Sequence, residues 1–256
     1  MKMGYRNDLL TSRAIIKHGS FALIPPEGLV FNVIPHFEDA EISVVASPRL
    51  GASFVEYLAT FKPNGGNRKG FGGNGVETFV YVVSGELEVK IDDEKFDLEE
   101  GGYVFCPPSK SMIMTNKSNA DTKLVLYKQK YVPVEGVKEP WVVSNNVKNL
   151  EVINYSDMDD VFLVDFLPTN LEFDMNFHIL TFMPGGSHPF IETHVQEHGA
   201  YLLTGEGMYN LNNDWVSVKK GDFIWMGPFV HQAAYAFGKE PLSYVYSKDC
   251  NRDPEI

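Results

Sequence analysis

The stretch Tyr81-Val82-Val83-Ser84-Gly85-Glu86 returns as Tyr201-Leu202-Leu203-Thr204-Gly205-Glu206, 120 residues further along the chain. The same shift lays EEGGYVFCPP (99–108) under KKGDFIWMGP (219–228), with Gly101 beneath Gly221. Two strand-turn-strand blocks that keep one register from residue 81 to 108 mark a tandem duplication of a single unit. Each block alternates apolar and polar residues and is punctuated by Gly, Asn and Asp, which is the pattern of strands and hairpins. The 256-residue chain is therefore expected to be all-β, with two similar barrels in tandem.

The division expected from this pattern is an N-terminal arm over 1–30, a first barrel over 31–147 and a second over 148–256. Residues 131–160, with weak periodicity and mixed charge, read as the connection. The first thirty residues show no counterpart in the second unit, so they read as an arm that packs on the other half or on another subunit. The net charge of −12 argues against nucleic acid as a partner. No apolar run reaches the roughly 18 residues a membrane helix needs. The opening residues lack the apolar core of a secretory signal. Only Cys106 and Cys250 occur, far apart, so a reducing cytoplasm is the expected compartment.

Chemistry concentrates in SHPFIETHVQEHGAYLLTGEG (187–207), which holds three histidines and three glutamates in an otherwise apolar, β-leaning segment. Residues two apart share a strand face, so Glu192, His194, Gln196 and His198 are expected on one side, with Ile191, Val195 and Glu197 on the other. One carboxylate and two imidazoles turned into a barrel supply what a divalent cation requires. His178, in the apolar NFHILTF, reads as a hydrogen-bonded core residue, and His188 as a bystander at the rim. NGGNRKGFGGNG (64–75) lacks a Lys-Ser/Thr ending and a following helix, so it reads as a flexible loop and not a phosphate cradle. Cys106 reads as a small core hydrophobe.

These motifs resemble the cupin superfamily. Gly186, five residues, Glu192, His194, three residues, His198 and Gly205 keep the frame of the first cupin motif with Glu and His exchanged. The second motif places its ligand eleven residues after its first glycine; from Gly221 that is Gln232, and the neighbouring His231 faces the opposite way. The fourth ligand implied is therefore the Gln232 amide oxygen. Subtracting 120 from the four ligand positions gives Gly72, Asn74, Thr78 and Met112, which is no ligand set for such a cation. One metal per chain, in the second barrel, is expected. A donor set with one carboxylate, two imidazoles and one amide suits Mn2+, with other divalent metals open.

The whole chain, with an inert first cupin, the ETHVQEHG strand and the ending SYVYSKDCNRD (243–253), closely resembles the (S)-ureidoglycine aminohydrolase family of bicupins. That resemblance implies a manganese-dependent enzyme of purine and allantoin degradation. Such an enzyme releases ammonia from the small molecule (S)-ureidoglycine and leaves (S)-ureidoglycolate. It implies a homo-oligomer, an octamer in the family. It carries the metal ligands onto Glu192, His194, His198 and Gln232. Substrate contacts fall on Tyr209, Tyr244 and Lys248 beside Glu192 and Gln232, and the catalytic role on Lys248 and Glu192. Two readings of other classes stand beside it: a cupin metal-dependent dioxygenase, and a non-catalytic binding bicupin.

Overall fold

A computed structural model describes residues 12–249 and 252. The chain passes through β1 (Ile15–Lys17), β2 (Phe21–Ile24), β3 (Phe37–Ala46), β4 (Val55–Asn67), β5 (Phe71–Gly72), β6 (Val76–Ser84), β7 (Glu86–Ile91), β8 (Glu94–Glu99), β9 (Gly102–Cys106), β10 (Ser111–Thr115) and β11 (Thr122–Lys130). It continues through β12 (Val143–Asn146), β13 (Ile153–Asn154), β14 (Val161–Asp165), β15 (Asn176–Phe182), β16 (His198–Thr204), β17 (Glu206–Leu211), β18 (Asp214–Lys219), β19 (Phe223–Met226), β20 (Gln232–Phe237) and β21 (Leu242–Lys248). Among the described residues, helix is confined to three short 3-10 turns, and no helix is long and apolar enough to cross a membrane.

The duplication is visible in the turns. In β7 the residues Leu87, Val89 and Ile91 point inward while Glu86 and Lys90 face solvent, the period-two pattern of a half-buried strand. A two-residue turn, Asp92-Asp93, closes the β7–β8 hairpin, and Asn212-Asn213 closes β17–β18 at the corresponding place. Asn212 and Asn213 both take positive φ (56° and 70°), the conformation of the tight turn that matches strand twist.

The first half forms one sheet ordered β12-β9-β6-β11-β4-β10-β7-β8, with β3 on β4 and β5 on β10. The second half forms an eight-stranded sheet, β1-β2-β19-β16-β21-β15-β14-β13, and a three-stranded one, β18-β17-β20. The halves exchange strands. β2 precedes the first barrel yet pairs with β19 of the second, Phe21 opposite Met226 and Ile24 opposite Phe223. β12 precedes the second barrel yet pairs with β9 of the first, Val143 opposite Phe105 and Asn146 opposite Gly102. Residues 21–24 therefore do have a counterpart, 143–146, which the sequence comparison missed because the two strands share no side-chain pattern. The glycine-rich segment is likewise less loop than expected. β4 runs through Asn67, whose buried side chain accepts from Met114 N (2.6 Å) and donates to Met112 O (3.0 Å).

Three apolar cores result. One fills the first barrel, with Val80, Val82, Met112, Met114 and Leu126, and one lies inside the second, around Leu180, Phe182, Leu202 and Tyr244. The third joins the halves: Phe79 stacks on Phe177 at 3.9 Å between ring centroids, and Tyr103 donates its hydroxyl to Phe166 O at 2.6 Å. Polar groups are buried in that junction too. Gln129 Nε2 donates to Glu77 Oε1 (2.8 Å) and Asp174 Oδ1 (3.4 Å), so two carboxylates from opposite halves share one buried place. Burial first, and the neighbouring Asp174 second, hold the Glu77 carboxyl protonated well above the usual carboxylate range. A raised folded-state pKa stabilises the fold fully below the unfolded pKa, and that contribution is lost as pH rises toward the folded value. Glu77→Gln, which cannot ionise, is expected to flatten this decline. Urea denaturation at pH 5.5 and 8.5 should show a smaller stability difference in the variant than in the parent chain.

Candidate metal centre

The segment expected to be one continuous strand is not. Glu192 makes a single bridge to Gln232, residues 193–197 follow an irregular path, and β16 begins only at His198. Strand alternation is therefore not what brings His194 and His198 together; the bend between them does. Gln196 lends only its backbone: its carbonyl accepts from His194 Nδ1 at 3.0 Å. On the partner strand β20, Gln232 is buried and turned inward, whereas His231 lies near Asn213 at 3.4 Å on the exposed side.

The two imidazoles have their tautomers fixed from behind. His194 Nδ1 faces Gln196 O, and His198 Nδ1 faces Ser247 O at 2.8 Å. A carbonyl only accepts, so each Nδ1 carries the proton and each Nε2 presents a lone pair. Burial lowers both pKa values, that of His198 to about 3, so the rings are neutral. The two Nε2 atoms are 3.3 Å apart, and the Gln232 amide comes within 2.7 Å of His194 Nε2. Two donors about 2.1 Å from one ion at right angles lie roughly 3 Å apart, so facing lone pairs at this spacing fit a single cation. A half-turn of the Gln232 amide offers its oxygen to the same point.

Glu192 stands in the wall of the same cavity but its carboxylate is engaged elsewhere. Tyr155 donates its hydroxyl to Oε2 (3.0 Å), and His188 Nε2 lies 3.5 Å from Oε1. Accordingly, no three His, Cys, Asp or Glu side chains converge on one point among the described residues; the convergent trio is His194, His198 and Gln232. The cavity has about 20 Å³ of free space, room for roughly one water-sized group. Its walls are Glu192, His198, Gln232 and the tyrosines 155, 209, 244 and 246, with Leu180 and Met226 behind them. The Tyr209 and Tyr244 hydroxyls meet there at 3.3 Å, both fully buried.

Lys248 ends β21 and does not line this cavity. Its charge is nonetheless near enough to His178, His194 and His198 to lower their pKa values and to Asp165 to oppose the rise that burial causes. The ammonium makes no hydrogen bond or ion pair among the described residues.

Two expectations need correcting. His178 is not hydrogen-bonded among the described residues: both ring nitrogens are buried without a partner there, and Asp165 Oδ1, 3.1 Å from Nδ1, is off the hydrogen-bond direction. Burial pushes its pKa down to about 3. His188 is not a bystander: it is buried, and its Nδ1 accepts from Ala234 N at 2.7 Å. That bond leaves the proton on Nε2, the nitrogen aimed at Glu192. Tyr155 went unnoticed because it lies in the segment read as a connection, in a 3-10 turn without strand periodicity. No motif spacing could have found it. Cys106 is buried, with its thiol pushed up to about 12 by burial, while Cys250 lies outside the described residues.

In the first barrel the corresponding place is closed. Met112 is fully buried in an apolar core, and Thr78 donates to Phe71 O at 3.4 Å.

A cupin domain model matches residues 58–127, within the first half. The chain is 58% identical over 254 residues, 99% of its own length and 97% of the relative's, to the (S)-ureidoglycine aminohydrolase of Escherichia coli (strain K12). The chain belongs to the (S)-ureidoglycine aminohydrolase family. The crystal structure of the E. coli protein YlbA is 55% identical and superposes with a TM-score of 0.87, covering 99% of this chain and 100% of that one. Bacillus subtilis oxalate decarboxylase, a protein described with Mn(II) centres, is 12% identical with a TM-score of 0.68, over 94% of this chain and 79% of its own. At that identity only the two-barrel fold is shared. In this family member, Gln232→Leu is expected to weaken Mn2+ binding at least about tenfold in a chelator competition, while His231→Ala leaves it unchanged.

Proposed function

We propose that the chain is a manganese-dependent (S)-ureidoglycine aminohydrolase that converts (S)-ureidoglycine and water into (S)-ureidoglycolate and ammonia. The observation that carries this reading is the full-length 58% identity to an enzyme of that name, together with the neutral imidazoles of His194 and His198 facing one point beside Gln232. His194, His198 and Gln232 would hold the ion, and Glu192 would complete the set by giving up its hydrogen bond from Tyr155. When bound, it supplies a Lewis acid and a template for a chelating substrate. Mn2+ is the choice among divalent metals because the donor set includes a carboxylate and an amide and lacks a thiolate.

The protein's own groups account for the rest. The substrate carbon carries an amine and a ureido nitrogen, and the amine leaves readily once protonated. Lys248, whose charge acts on the histidines from outside the cavity, would give that nitrogen its proton. The oxygen of water ends on the carbon, its proton returns to Lys248, and ammonia departs. Tyr209 and Tyr244 present adjoining hydroxyls in the cavity wall, suited to a ureido group that both donates and accepts hydrogen bonds. Tyr155 donates to the Glu192 carboxylate in the wall of the same cavity, with the neutral His188 ring beside it. We place this activity in the cytoplasm, in purine and allantoin breakdown, and in a homo-oligomer, an octamer by family resemblance.

The test is elemental analysis of the purified protein with an ammonia assay on freshly generated ureidoglycine, run without oxygen. One Mn2+ per chain and anaerobic ammonia release are expected; release that depends on oxygen would sink the reading. Lys248→Met is expected to lower turnover by about 10²–10⁴-fold with metal content unchanged. Normal turnover in that variant would remove the lysine from the mechanism.

A further inference from the structure

The first barrel binds nothing in the reading above, yet it touches the metal segment at a few defined atoms. Glu197 lies between the ligands His194 and His198 and turns away from them into the junction between halves. Its Oε1 and Oε2 accept from Ser53 N at 3.1 and 3.3 Å, and Oε2 also accepts from Trp225 Nε1 at 3.0 Å. The Glu197 backbone N donates to Asp249 Oδ1 at 2.7 Å. Ser53 Oγ donates to Asp249 Oδ2 at 3.2 Å, and Gln129 Nε2 donates to Asp249 O at 3.2 Å. Asp249 directly follows Lys248. Ser53 is itself held between Ala52 and Phe54, both buried in the core that joins the halves.

We propose that Ser53 of the first half, with Glu197 and Asp249, forms a positioning junction that sets the spacing of His194, His198 and Lys248. This rests on the metal reading given above. The need for such a junction follows from the path of residues 193–197, which no strand ladder fixes. A loop of this kind drifts unless its polar groups are tied, and the ties run to the rigid first barrel. A second contact behind His198 has the same origin. Ser247, whose carbonyl orients the His198 ring, receives Gly199 N on its Oγ (2.9 Å) and lies 3.4 Å from Glu56 Oε2 of β4. A Cβ on residue 199 would sit 1.8 Å from that Glu56 oxygen, so a larger residue there would push the buried Glu56 carboxyl aside. The first barrel, whose corresponding place is apolar, thus serves as the wall against which the second barrel's ligands are held.

The experiment uses the full chain carrying Glu197→Gln, Asp249→Ala or Ser53→Ala, with Mn2+ as the probe. Three readouts are taken: dissociation constant by chelator competition, the Mn(II) EPR signal, and the melting temperature of the metal-free protein. In Glu197→Gln an NH2 group meets donors, so affinity is expected to fall about 10–100-fold with an altered EPR signal. Ser53→Ala keeps the backbone tie and is expected to lose only a few-fold. Combined with Asp249→Ala it should add nothing to that single variant, because both remove the same bond. A merely structural role predicts lower melting temperatures with unchanged affinity per folded chain. Affinity within about twofold of wild type in Glu197→Gln and Asp249→Ala overturns the junction alone. A wild type that binds no Mn2+ overturns the metal reading and the junction with it. Should Asp249→Ala fail to fold, Glu197→Gln and Ser53→Ala decide the matter by the same criteria.

Discussion

Two imidazole nitrogens that both present lone pairs repel one another at 3.3 Å, and something must hold them there. The holding groups are backbone carbonyls, Gln196 O behind His194 and Ser247 O behind His198, which take the Nδ1 protons and fix the ring planes. Without those acceptors the histidines would be free to exchange tautomers and hydrogen-bond to each other. With them, an electrophile between the rings is the arrangement that relieves the repulsion. The irregular course of 193–197, the inward Gln232 and the glycine at 199 all serve that one approach.

The duplication explains how such a strained polar cluster is tolerated. Buried polar atoms are costly unless satisfied, and the second barrel concentrates them: His188, His198, Gln232 and two facing tyrosine hydroxyls. The first barrel fills the matching volume with Met112, Met114, Phe71 and aliphatic residues, which need no partners. One half is thus a conventional apolar core that stabilises, and the other gives up apolar packing for chemistry. Exchange of β2 and β12 couples the two, so the stable half supports the functional one through paired strands as well as through the Phe79–Phe177 stack.

Periodicity and the 120-residue shift carried the all-β fold and its two units, and the cupin motif frame carried the inward Gln232 against the outward His231. Those are properties of register, and register is written in neighbouring residues. What stayed hidden depends on contacts between segments distant in sequence. Tyr155 reaches Glu192 across 37 positions, and Ser53 reaches Glu197 across 144. The strand exchange was hidden for another reason: FALI at 21–24 and VSNN at 143–146 share geometry and no chemistry, because one strand is buried and the other is not. His188 looked like a bystander since its importance lies in a tautomer, which the Ala234 amide imposes and sequence does not encode locally.

Charge places a last constraint on what enters the second barrel. A chain with net charge −12 repels a carboxylate at long range, and only local cations reverse that. His178, His194 and His198 cannot supply them, since burial leaves all three neutral. The Lys248 ammonium, which makes no ion pair among the described residues, can, and its charge adds a little to the burial that keeps those histidines from protonation. The same cation therefore does two things at once. It would draw an anionic ligand toward the imidazoles, and it opposes their protonation in the same sense as burial.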